Sequence, residues 1–271
     1  MKKNNFILIW VLILTLFSTS CKKDNNSSDK PKFNLYSIED DKKFGAQFDQ
    51  EIRNNPQFNI LNETQYSEAY AKINQFKTEL LNTGKVEYAT TFAWKIRIIK
   101  DDATVNAFAV PGGYLYFYTG LIKTLDNEAE FAGVMAHEMA HVARRHTTAQ
   151  LTKKYGIDLM LSLLLGQNSN QWVTIAAQLA EGLVDLKFSR NDEFEADRYA
   201  VNYTYPTAWD ARGVADFFRK MESQSVTPVF LSTHPSDKDR IEKVNEEWNK
   251  LGGKQGTYFE SRYQQFINTL P

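Results

Sequence analysis

Cysteine is almost absent from this chain, with one, Cys21, in 271 residues. A single thiol excludes an intramolecular disulfide framework and any metal site built wholly from thiolates. An excess of one charge is lacking too: 32 Lys and Arg face 33 Asp and Glu, for a formal net charge of −1. No global positive field is available to neutralise phosphates, so nucleic acid is not an expected partner. Long hydrophobic runs are also missing. The apolar stretches 6–17, 157–165 and 172–186 all fall short of the roughly 20 residues that cross a bilayer. What remains is ordinary globular composition, 42% hydrophobic and 24% charged, enough for one large or two small domains.

The beginning of the chain reads as a targeting segment. Lys2 and Lys3 precede the apolar run from Phe6 to Phe17, and Ser18, Thr19 and Ser20 lead into Cys21. This is the layout of a secretory signal, and its apolar run would reach only about 18 Å as a helix. A cysteine directly after small residues resembles a bacterial lipobox, which implies lipidation of Cys21 after removal of residues 1–20. Ser18 stands where that motif usually has Leu. Residues 21–32 are polar and form the expected tether, leaving 33–271 as a single domain.

Within that domain, Tyr66, Tyr70, Ile73, Phe76 and Leu80 recur at helical intervals up to Gly84. Between Phe92 and Tyr118, alternation at Trp94, Ile96 and Ile98, then Tyr114-Leu-Tyr-Phe-Tyr118 after Pro111-Gly112-Gly113, predicts two or three strands with a turn. Helical patterning then resumes almost to the end. The stretches 157–165 and 172–186 read as two packed helices, separated by the polar Gln167-Asn-Ser-Asn-Gln171, the alternative being an interfacial membrane contact.

The segment that carries chemistry is His137-Glu138-Met139-Ala140-His141, an HExxH inside a helix expected to start near Asp126-Asn127. Positions four apart differ by about 40° around a helix, so both imidazoles leave one face and can grip one metal ion. Glu138 is offset by one residue, placed to reach a water on that metal without ligating it. A third ligand must come from elsewhere. Arg144 and Thr147 occupy the positions where a metzincin has Gly and His, and the apolar neighbourhood of Leu161 replaces the downstream Glu of thermolysin-like enzymes. The next suitable carboxylates are Glu193 and Asp197, again four apart on one helical face. One can ligate while the other hydrogen-bonds the free nitrogen of a ligating His. Two His and one carboxylate suit zinc best, one ion per chain. His146 reads as a favourable charge near a helix C-terminus.

HExxH, a downstream Glu193-Phe-Glu-Ala-Asp197, and Asn106-Ala-Phe-Ala-Val-Pro-Gly-Gly113 together resemble a family of zinc metallopeptidases. It includes the heat-shock protease HtpX, the CaaX prenyl endopeptidase, the mitochondrial Oma-type protease and periplasmic outer-membrane quality-control proteases. The resemblance covers roughly Phe92 to Ile241. It implies a mainly α fold with a small β-sheet, an α+β zincin-like metalloprotease domain. It also implies His137, His141 and Glu193 as zinc ligands, Glu138 as general base and Asp197 as the partner of a ligating His. Asn106, Ala107, Phe108 and Ala109 resemble the family's edge strand, which would bind extended substrate by β-augmentation. His234-Pro235 and Arg240-Ile241 resemble its late HPxxxxRI element. There His234 would stabilise the oxyanion or act as a displaceable fourth ligand, and Arg240 could share the oxyanion role. Ala200 and Trp209-Asp210-Ala211 depart from the family pattern near the later helices.

The expected function is zinc-dependent hydrolysis of misfolded or misassembled envelope proteins. The expected partners are extended polypeptide and, through lipid on Cys21, a membrane facing the periplasm, with the outer membrane preferred. The alternative is a gated or weakly proteolytic lipoprotein acting mainly as a chaperone for outer-membrane proteins, with residues 157–186 covering the site. A zinc amidase on non-peptide substrates would require the 106–110 strand to be buried on both sides.

Overall fold

A computed structural model describes residues 32–164, 187–223, 228–235 and 238–271. The expected signal and most of the tether lie outside the described residues, as does the apolar stretch 172–186. The fold is mainly helical with one small mixed sheet, as expected. No helix among the described residues is long and apolar enough to cross a membrane.

Helix α1 (Ile38–Asn54) opens with a capping box in which Ser37 and Asp40 satisfy each other's backbone N–H groups. Its apolar stripe, Phe44, Phe48 and Ile52, is buried. Helix α2 (Ser67–Asn82) buries Tyr70, Ile73, Phe76 and Leu80 at the anticipated spacing. The sheet follows: β1 (Lys95–Ile99), β2 (Ala107–Val110) and β3 (Tyr114–Tyr118), in the order β1-β3-β2. β1 runs parallel to β3, with Ile96 opposite Leu115, and β2 is antiparallel to it, with Ala109 opposite Leu115. Gly112 and Gly113 make the β2–β3 turn with φ of 79° and 91°. A Cβ at either would collide with backbone of Asp41 or Trp94, so this turn also sets how closely α1 and the β1 approach pack on it.

β3 is buried on both faces, which explains its unbroken apolar and aromatic text. Tyr114 and Tyr116 pack with Phe44 and Phe48, whereas Leu115 and Phe117 join the main core with Phe131. β2 pairs only with β3 and stands at the sheet edge among the described residues.

After the short α3 (Thr119–Thr124) comes α4 (Glu128–Ala143), the helix of the HExxH motif. Asn127 caps it by accepting from the Glu130 N–H at 2.9 Å. All of its residues are buried. It packs against α6 (Arg190–Thr204) and α7 (Gly213–Glu222), and it also lies against β2. Close approach to α7 depends on paired glycines: a Cβ on Gly213 would lie 2.0 Å from Ala129 O, and one on Gly133 would lie 2.4 Å from Val214 N. Helix α5 (His146–Leu164) leads out of this region, and α8 (Val229–Thr233), α9 (Lys238–Lys250) and α10 (Glu260–Ile267) complete the described chain.

One buried ion pair ties α1 to the sheet. Arg97 donates to both oxygens of Asp49, at 2.9 and 2.8 Å, and the Tyr116 hydroxyl lies 3.1 Å from the same carboxylate. Burial pushes the Asp49 carboxyl up, but the Arg97 hydrogen bonds and charge outweigh it and hold it below its ordinary value. A depressed carboxyl stabilises the fold above the unfolded-state value of about 3.9, and that contribution is lost as the pH falls through the lower folded value. Asp49→Asn removes the bidentate anion of Arg97, leaving it only Glu63 among the described residues, and is expected to cost about 2–3 kcal/mol. In urea melts at neutral pH the loss should be full-sized, and it should shrink as wild type is acidified below the carboxylate range.

Candidate metal centre

The site assembles on α4 and three segments around it. His137, Glu138 and His141 come from α4, Glu193 and Asp197 from α6, His234 from the C-cap of α8, and Arg240 from α9. α6 starts one turn before it is needed: Ser189 and Asp192 form a reciprocal capping box, so Glu193 enters the helix in its first turn. His234 is delivered by an α8 whose Phe230 N–H bonds Val105 O at 3.1 Å, just ahead of β2.

His137, His141, Glu193 and His234 each offer one ligand atom, and these atoms all lie within 4.8 Å of one another, buried. His137 Nε2 lies 3.0 Å from His141 Nε2 and 3.3 Å from His234 Nδ1. Glu193 oxygens lie 3.5 Å from His137 Nε2, 3.6 Å from His141 Nε2 and 3.2 Å from His234 Nδ1. Imidazole lone pairs brought this close satisfy one another poorly, because each short N···N contact accommodates a single proton. A cation at their centre satisfies all of them at once. Charge points the same way: Glu138, Glu193 and Asp197 are buried here, and among the described residues the one buried Lys or Arg beside them is Arg240. A divalent ion balances that set, and the nitrogen and carboxylate donors fit zinc.

Around the quartet, charged groups stand within ion-pair distance of the donors. Asp197 Oδ1 lies 2.9 Å from His137 Nδ1. Arg240 forks onto Asp197 with two bonds of 2.7 Å, reaches Glu193 Oε2 at 2.9 Å, donates to Pro235 O at 3.1 Å, and lies over the Phe218 ring. Its nitrogens are engaged behind the ligands. Glu138 Oε1 is buried without a hydrogen-bond partner, 3.4 Å from His234 Nε2.

The electrostatics follow from burial against these contacts. Burial drives the His137 imidazole down, but hydrogen bonds to Asp197 and Glu193 outweigh it and lift it to about 9. For His141 burial prevails and the ring is held well below its ordinary value. Burial raises the Glu138 carboxyl, with His234 and His137 opposing. Burial also pushes Glu193 up, yet the His234 and Arg240 charges and its hydrogen bonds bring it well below the carboxylate range.

His146 does not sit where the sequence reading put it. α4 ends at Ala143, Arg145 turns the chain with φ of 57°, and His146 begins α5. It is buried at 1% exposure, so it is not a solvated charge at a helix end. Burial, partly opposed by Glu195, lowers its ring to about 4, which leaves it neutral. Its Nδ1 lies 3.0 Å from His141 Nδ1 and its Nε2 lies 3.2 Å from Glu195 Oε2. Sequence reasoning placed neither residue behind His141. The available signal was scarcity, since all four histidines of the chain meet at this one place. Phe188, absent from the sequence expectations, lies 4.0 Å ring to ring from His141, and its N–H donates to Thr233 O at 3.3 Å.

Residues 67–248 match the profile of peptidase family M48, more than half of the chain. The chain belongs to peptidase family M48. Its relatives include mitochondrial metalloendopeptidase OMA1 of Schizosaccharomyces pombe, 29% identical over 163 residues, 57% of this chain and 46% of that protein. A putative beta-barrel assembly-enhancing protease of Vibrio cholerae is 33% identical over 153 residues, covering 52% and 32%. The beta-barrel assembly-enhancing protease of Escherichia coli is 28% identical over 162 residues, covering 54% and 33%. The chain thus spans less than half the length of these relatives. M48 metallopeptidases are zinc-dependent, and the quartet is a place for one such ion.

Asp197 Oδ1 stands 2.9 Å from His137 Nδ1, on the far side of the ring from the Nε2 that faces the other donors. If that contact orients a ligand, Asp197→Asn is expected to weaken zinc binding by about 10–100-fold, read by competition with a chromophoric chelator. Unchanged affinity would mean that the Asp197 contact does not orient a ligand.

Proposed function

We propose that this chain is a zinc metalloendopeptidase of the bacterial envelope. The observation that carries the reading is the buried quartet of His137, His141, Glu193 and His234 with Glu138, whose Oε1 has no hydrogen-bond partner, beside it. Zinc in that quartet would supply Lewis acidity, polarising a scissile carbonyl and acidifying a water. Glu138 would take the proton from the attacking water and pass it to the leaving amine. Its burial, which raises its proton affinity, suits that role.

Asp197 would hold His137 in the tautomer whose Nε2 faces the ligand cluster. Arg240, with its nitrogens spent on Asp197, Glu193 and Pro235, would position both carboxylates. That assignment replaces the oxyanion role expected of it. His234 turns Nδ1 towards the quartet, which favours a fourth, displaceable donor over a dedicated oxyanion group.

Substrate would enter as an extended strand. β2 has an open edge among the described residues and lies against α4, so a peptide added there would run beside the HExxH helix. Asn106 Oδ1, at the start of this strand, is buried with no hydrogen-bond partner. Ala107 and Ala109 flank Phe108 along the same edge. Main-chain recognition of this kind demands little sequence and fits unfolded or misassembled envelope proteins. The names of the bacterial relatives support the same substrate class. The lipobox-like Ser18-Thr19-Ser20-Cys21 supports a lipid anchor on Cys21 and a periplasm-facing membrane location, with the outer membrane preferred.

Glu138→Gln is expected to retain one zinc per chain while casein cleavage falls by about 10²–10⁴-fold. Zinc-loaded wild type that cleaves no unfolded protein would instead favour a binding or chaperone role. Cys21→Ser should abolish palmitate labelling in cells and shift the protein from the membrane to the soluble periplasmic fraction. Retained labelling would remove the lipid anchor at this residue.

A further inference from the structure

The two ligand histidines of α4 have unlike supports. His137 meets a carboxylate directly, Asp197 at 2.9 Å. His141 does not. Its Nε2 faces the ligand cluster, 3.0 Å from His137 Nε2, and its Nδ1 faces away. When Nε2 gives its lone pair to a metal, Nδ1 must carry the ring proton and needs an acceptor. The atom opposite is another imidazole nitrogen, His146 Nδ1 at 3.0 Å.

That contact fixes every proton behind it. His146 Nδ1 must present its lone pair, so the His146 proton lies on Nε2. Nε2 then donates to Glu195 Oε2 at 3.2 Å. Glu195 must be the anion that receives it, and two cations hold it so: Arg144 Nε lies 2.7 Å from Oε1, and Lys32 Nζ lies 3.3 Å from Oε2. His146 and Glu195 are buried at 1% and 4% exposure, so no solvent competes for these bonds.

We infer that His146 and Glu195 form a two-residue relay that positions His141 for metal, the counterpart of Asp197 on His137. The anion acts through an intervening neutral imidazole instead of touching the ligand. The relay begins outside the HExxH motif: Arg145, with φ of 57°, turns the chain so that His146 comes back under His141 instead of continuing α4. Arg145 is itself held there by Asp41 and by the carbonyls of Tyr36 and Ser37. Glu195 follows Glu193 by two residues on α6, so one helix supplies a ligand and the anchor of another ligand's support.

The inference rests on the zinc reading of the quartet, so its test reads metal affinity with the full-length protein. Zinc-free wild type, His146→Leu, His146→Gln and Glu195→Ala would be titrated with zinc against a chromophoric chelator. Thermal midpoints of the zinc-free forms would be recorded alongside. His146→Leu is expected to lose about 10–100-fold in affinity, and Glu195→Ala at least about threefold. His146→Gln should stay within about threefold of wild type, because its amide oxygen can accept from His141 and its NH₂ can donate to Glu195. A purely structural His146 would move the thermal midpoints and leave affinity in place. The relay is overturned if His146→Leu binds zinc as tightly as wild type, or if His146→Gln loses as much as His146→Leu. Should His146→Leu fail to fold, wild-type affinity in Glu195→Ala overturns it instead. Wild type that binds no zinc would overturn the metal site itself, a separate outcome.

Discussion

At the metal centre three buried carboxylates, Glu138, Glu193 and Asp197, lie among three buried imidazoles with Arg240 as the one buried guanidinium beside them among the described residues. Buried charge is tolerated only when it is paired, and here the pairing within the chain is incomplete. The lone pairs of His137, His141 and His234 point into the same space. This shortage of positive charge is the constraint from which the rest follows. A divalent cation relieves both the charge and the crowding of donors, and the surrounding bonds make sense as the frame that holds donors ready for it.

The frame depends on a helix with no solvent face. α4 can carry a metal site because α6 and α7 wrap it, and α7 can approach because Gly133 and Gly213 carry no side chain at the crossing. The polar ends of that buried helix are satisfied locally. Asn127 and Glu130 close its beginning, and Arg144 with Arg145 turns the chain out at its end. Edge strand β2 lies against the same helix, so the surface suited to an extended peptide and the donors suited to zinc are neighbours by construction. Arg240 joins α9 to α6 through Asp197 and Glu193, which makes the position of the ligands depend on the last third of the chain.

Much of this was legible in the sequence, because the chemistry is written at short range. HExxH places two imidazoles on one helical face, and Glu193 with Asp197 repeats the same four-residue spacing. Pro111-Gly112-Gly113 marked the turn, and Gly84 marked the end of α2. The aromatic run after that turn identified β3, although its burial on both faces depends on partners far away in sequence. What was not legible depended on tertiary packing. Residue spacing made His146 look like a terminal charge, because the left-handed Arg145 that breaks the helix leaves no mark in composition. Arg240 looked like a group for developing negative charge until its nitrogens were found engaged by Asp197, Glu193 and Pro235. Phe188 lacked a motif altogether, and only the packing of its ring on His141 gives it a place.

The central claim is that the buried donors hold one zinc ion. Crystals of the protein loaded with zinc, measured just above and just below the zinc absorption edge, test it most directly. The account predicts one anomalous peak per chain, about 2.0–2.2 Å from His137 Nε2, His141 Nε2 and a Glu193 oxygen. No peak at that position in zinc-loaded crystals, or a peak held by other residues, would contradict it.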